Sequence, residues 1–151
     1  MNQHLDLWKN RFTVDLCLLL MRVIVGVIFA AHGAQKLFGA FGGPGLSAMV
    51  EMMGLLAYPV SIGEFLGGLG LVIGLLCRFS AASLTLIMCG AIATVHGPNG
   101  LFLVNEGFEY NLALIGLLVP VVILGPGRFA IGWTLPLPKS QRTGRPIVFL
   151  E

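Results

Sequence analysis

Six ionisable side chains interrupt otherwise apolar runs or sit at their ends: Arg22, His32, Lys36, Glu64, His96 and Glu109, with Asn111 just after the last. The imidazoles and the ammonium group can donate hydrogen bonds to a carbonyl oxygen. The carboxylates can exchange protons, and an apolar setting shifts their affinity for them. That is equipment for holding a small polar-headed molecule such as a quinone. No two of the histidines and glutamates stand at i, i+3 or i+4 on one helix, so no metal site is assigned. Cys17, Cys77 and Cys89 form no CxxC pair, so neither a disulfide nor thiol chemistry is expected.

The elements that must position these residues are membrane helices. The chain has 151 residues, 56% hydrophobic and only 11% charged, with a mean hydropathy of +0.91. Soluble domains carry about a quarter charged residues. A formal net charge of +2 gives no reason to expect a nucleic-acid partner. Four apolar runs, about residues 13–37, 55–76, 80–95 and 108–124, are read as spans, since about 20 apolar residues cross a bilayer core. The glycine-rich stretch FGAFGGPG (38–45) breaks the chain after the first. A short helix capped by Ser47 is expected to follow and run through Met53. Cys77–Phe79 is read as the tight connection between the second and third spans, and Pro120 is expected to kink the fourth. The fold class is therefore all-α: an integral membrane four-helix bundle over residues 13–133, with tails at 1–12 and 134–151.

Orientation follows from the nine lysines and arginines. With both termini cytoplasmic, Lys9, Arg11, Arg78, Arg128, Lys139, Arg142 and Arg145 lie inside and Lys36 alone outside, as positive-inside bias requires. In this topology His32, Lys36, Glu64, His96 and Glu109 come from all four helices to the outer end of the bundle. Facing lipid, such a set would be untenable, so a shared polar cavity is expected.

Each residue also has a plain structural reading. Arg22, in the first span, needs a partner, and helix rise places Glu64 within about 7 Å of it in depth, so a buried Arg22–Glu64 pair is expected. Lys36 can snorkel to head groups. His32 and His96 each precede a glycine at a helix end and can act as caps. Glu109 complements a helix N-terminus. Gly26 and Gly33 share a stripe with Arg22 and Lys36, while Gly63, Gly67, Gly70 and Gly74 stripe the second span. Both sets read as close helix packing.

Together, Arg22, the run HGAQKLFG (32–39), the loop FGGPG (41–45), Glu64 in a glycine-rich helix and GPGRFAI after the fourth span resemble the DoxX family. The likeness covers roughly residues 16–133. It implies a small four-helix protein of the bacterial inner membrane, linked to redox systems; one branch of the family resembles a subunit of thiosulfate:quinone oxidoreductase. Members often carry an acidic residue after the arginine that follows the last helix, and GRFAIGW has none. Three functions are compatible with these features. One is a redox subunit binding a quinone at the outer polar layer. Another is a non-catalytic anchor for a soluble oxidoreductase. The third is a small proton-coupled transporter. The bilayer, a soluble oxidoreductase and a second copy of the chain are the candidate partners.

Overall fold

The computed structural model describes residues 3–131. Five α-helices follow one another: α1 (Gln3–Phe38), α2 (Gly45–Met53), α3 (Ala57–Ile73), α4 (Cys77–Ala91) and α5 (Glu109–Leu124). No strand occurs among the described residues. The long helices correspond to the four expected spans, with shifted ends. α1 begins well before residue 13, because no glycine or proline interrupts residues 3–25 and its polar start continues the same helix. The helix α2 starts at Gly45 with Pro44 at its N-cap and no side-chain cap, so Ser47 does not play the expected capping role.

Between α3 and α4 the turn is formed by residues 74–76 rather than 77–79. Gly74 (φ 82°) and Leu76 (φ 48°) take left-handed conformations, and Cys77 already opens α4. Past α4 a π-helical turn, Ile92–His96, carries the chain into the 97–108 loop. α5 runs on past Pro120 as a single helix.

Three stretches are long and apolar enough to cross a membrane: Arg11–Phe38, Ala40–Ile73 and Cys77–Asn99. α5 is apolar but shorter, at 16 residues, about 24 Å at 1.5 Å per residue. The surface suits lipid. Leu20, Ile24, Val27, Leu66, Leu86, Leu112 and Ile123 all point outward, which in water would be a large exposed apolar area. Inside, Leu18, Val25 and Phe29 of α1 meet Leu71 of α3, Leu84 and Met88 of α4, and Leu114, Leu118 and Val121 of α5.

The most extensive helix–helix contact is between α1 and α3, which run antiparallel. Glycine makes it so close. A β-carbon on Gly33 would strike the backbone of Phe65, one on Gly68 the backbone of Ala30, and one on Gly26 would come within 2.7 Å of the Gly68 carbonyl. Small residues let backbones approach in this way, and dispersion and packing then hold the pair. The expected stripe on α3 divides its work. Gly63 and Gly67 face Ile87 and Leu84 of α4, Gly70 meets Ser80, and Gly74 lies against Arg22 and Ala130. The close contact with the α1 backbone falls to Gly68, beside that stripe.

Candidate functional site

The register of α1 against α3 decides which polar groups meet. With Gly33 seated on Phe65, Glu64 comes level with the last turn of α1. There the Lys36 ammonium donates to both carboxylate oxygens of Glu64, at 2.6 Å each. Glu64 is 2% exposed and Lys36 25%. A charge pair this sheltered is short and charge-assisted.

The expected Arg22–Glu64 pair is therefore not formed. Arg22 lies 14 positions from Lys36 along α1, about 21 Å at 1.5 Å per residue. The relative shift of α1 and α3 is set by their glycine contacts, and it is not given by the depth of each residue below the end of its own helix.

One turn before Lys36, His32 is exposed, and its Nδ1–H donates to the side-chain oxygen of Gln35 at 3.1 Å. Its ring stands edge-on to Tyr110 of α5, with centroids 6.3 Å apart. This contact brings the C-terminal end of α1 and the N-terminal end of α5 together. Asn111, the next residue, is buried and donates to Met88 Sδ of α4 at 3.4 Å.

His96 takes another course. Its Nδ1 donates to the Glu106 carbonyl at 2.7 Å, and Asn99 Nδ2 reaches the same oxygen at 3.4 Å. His96 thus ties the 97–108 loop to the end of α4. Glu109 is half-buried in the first turn of α5, and its amide donates to the Leu101 carbonyl at 2.8 Å. So the expected outer set shares one end of the bundle but divides. Lys36 and Glu64 form a buried pair, with His32 one turn away against Tyr110. Asn111 serves helix packing, and His96 serves the loop.

Sequence reasoning missed two residues at this end. Tyr110 gave no signal beyond standing between Glu109 and Asn111. Ser61 stands three residues before Glu64, a spacing that puts both on one helix face. Its side chain is fully buried, and its hydroxyl has no hydrogen-bond partner.

At the opposite end of the bundle Arg22 is 1% exposed. No carboxylate bonds it among the described residues. Its Nη1 donates to the Leu71 carbonyl at 3.2 Å and its Nη2 to the Phe129 carbonyl. Leu71 is in the last turn of α3, where carbonyls have no intrahelical donor and the helix end carries partial negative charge. Arg22 is therefore a cation capping the C-terminus of α3. Phe129 is brought to it by the segment after α5, where Arg128 N–H donates to Asp15 Oδ1 of α1 at 3.2 Å.

All three cysteines are free. No group of three histidine, cysteine or acidic side chains among the described residues is placed to hold a metal ion.

A helical membrane bundle with a buried lysine–glutamate pair at one end and a helix-capping arginine at the other is the class this geometry defines. The model of the DoxX family matches residues 17–97, which include Arg22, His32, Lys36, Glu64 and His96. The chain belongs to the DoxX family. It is similar to a Bacillus subtilis (strain 168) protein named "Putative oxidoreductase CatD", at 33% identity over 99 residues, covering 66% of this chain and 73% of the relative. No solved structure matches it significantly.

Proposed function

We propose that the chain is the membrane subunit of a redox system and binds a quinone or a similar small oxygen-bearing ring at its outer polar end. The observation that carries this reading is the Lys36–Glu64 pair: a carboxylate 2% exposed, held by a lysine that stays partly open, one helical turn from His32. Family membership and the relative's name support a link to redox chemistry.

The donor set suits a neutral ring with oxygens. Lys36 and His32 offer N–H donors to a carbonyl, the Tyr110 hydroxyl can donate or accept, and Glu64 can hold or release a proton. A quinone, when bound, would supply the electron-accepting chemistry. The chain's own side chains bind the head group, orient it and keep a proton near it. Electrons would come from a partner oxidoreductase, for which the membrane helices are the anchor.

Binding of short-chain ubiquinone and menaquinone analogues to the purified protein tests this reading. Saturable binding is expected for the wild type, lost or weakened at least tenfold in Glu64→Gln and reduced in His32→Ala. No saturable binding by the wild type, or binding by both variants equal to wild type, would overturn it. The polar end would then belong to anchoring or to transport.

A further inference from the structure

Ser61 is anomalous in a way its neighbours make plain. Hydroxyl side chains inside membrane helices usually return their proton to the carbonyl four residues back. Thr85 does so to Ala81 at 2.7 Å, and Thr94 to Gly90 at 2.8 Å. Ser61 lies in the interior of α3, is 0% exposed, and makes no such bond. A hydroxyl can donate one hydrogen bond and accept two, so leaving it unpaired in an apolar interior is costly.

Its position is equally specific. Ala57, Ser61, Glu64, Gly68 and Leu71 form the continuous buried stripe of α3, and Gly68 fixes that stripe against α1. Ser61 is one turn outward of Glu64 on this same face, toward the end of α1 that carries Lys36. An unpaired hydroxyl and a buried ion pair therefore sit in adjacent turns.

We infer that Ser61 Oγ is a ligand-binding group of the Lys36–Glu64 site, hydrogen-bonded to an oxygen of the neutral head group held there. This rests on the reading in the preceding subsection. A hydroxyl is suited to both redox forms of such a ring. It donates to a carbonyl of the oxidised form and accepts from a hydroxyl of the reduced form, where Lys36 can only donate and ionised Glu64 can only accept. Ser61 thus favours oxygen-bearing rings over hydrocarbon ones of the same shape.

Two measurements on Ser61→Ala separate a ligand contact from a structural one. Alanine removes an unpaired polar atom from the ligand-free protein, so its melting temperature in detergent should equal or exceed that of wild type. The affinity for a short-chain ubiquinone should fall about tenfold, the factor that corresponds to about 1.4 kcal/mol, the size of one good hydrogen bond. A lowered melting temperature without ligand would overturn the inference, because the hydroxyl would then be bonded inside the protein, for instance through an internal water. Unchanged affinity in Ser61→Ala, with binding abolished in Glu64→Gln, would overturn it and leave the quinone reading standing. If the wild type binds no quinone, both fall together.

Discussion

A buried arginine with no carboxylate needs a physical account, and α3 supplies it. The last carbonyls of a helix lack intrahelical donors and carry roughly half a negative charge between them. Arg22 places its guanidinium there, on the Leu71 carbonyl, and reaches across to the Phe129 carbonyl as well. Gly74 makes room for it, since a β-carbon at that position would collide with the guanidinium and with Ala130. Arg22→Met should destabilise the fold by about 3 kcal/mol, because two sheltered carbonyls lose a charged donor. Arg22→Lys should recover part of this, reaching one carbonyl but not both. Unfolding in detergent reads both.

The same measurement applied to double-mutant cycles distinguishes the two cations. Lys36→Met with Glu64→Gln should show a coupling of about 2 kcal/mol, and Arg22→Met with Glu64→Gln less than about 0.5 kcal/mol. Appreciable Arg22–Glu64 coupling would contradict the observed pairing. The charged residues were legible in the sequence, since a charge in an apolar run announces itself, whereas the hydroxyl of Ser61 did not. Their partners were not, because partnership depends on the shift of one helix against another.

That shift is set at the scale of elements, by a few glycines. Gly33 and Gly68 bring the α1 and α3 backbones so close that any side chain there forces the helices apart. Gly68→Ala should therefore destabilise by about 1–3 kcal/mol through overpacking against backbone that cannot yield. It should also weaken the Lys36–Glu64 bond that depends on the register. Gly116, in α5, has nothing within 4 Å of a prospective β-carbon. Gly116→Ala should stabilise by about 0.5–1 kcal/mol, by lowering the entropy of the unfolded chain. Equal effects at the two sites would mean that helix propensity, not close approach, governs the bundle.

Helix number and order were readable from apolar run length, and Gly26 and Gly33 were readable as packing positions. The partner of each glycine was not. Gly63, Gly67 and Gly70 share a stripe with Gly74 but meet α4, while Gly68, one position off that stripe, carries the contact with α1. A sequence stripe shows which residues are small; it does not say which neighbour uses the space.

Across the whole molecule, charge is arranged asymmetrically, and the structure sharpens the asymmetry. Arg78 donates to the Ile123 carbonyl at the end of α5, and Arg128 lies 3.9 Å from Asp15, so Asp15, Arg78 and Arg128 mark one end of the bundle. Arg11, at the start of the first span, belongs to that end too. Lys139, Arg142 and Arg145 fall outside the described residues. At the opposite end the Lys36 charge is offset by Glu64 within the bundle. That end therefore presents no uncompensated lysine or arginine among the described residues, a stronger bias than a count of cations implies. Positive charge is retained on the cytoplasmic side of a membrane, so both termini should be cytoplasmic and the Lys36–Glu64 end should face outward. The short α5 does not stand against a fourth crossing. A mismatch of about 6 Å relative to a 30 Å core costs only fractions of a kcal/mol per Å and is met by local thinning of the bilayer. Fusions of alkaline phosphatase and of green fluorescent protein at each terminus, and of phosphatase in the 97–108 loop, check the arrangement. Phosphatase should be inactive at both termini and active in the loop, with fluorescence at both termini. Because Glu64 already compensates Lys36, Lys36→Met should leave this pattern unchanged. Active phosphatase at either terminus would overturn the orientation, and opposite readings at the two termini would rule out four crossings.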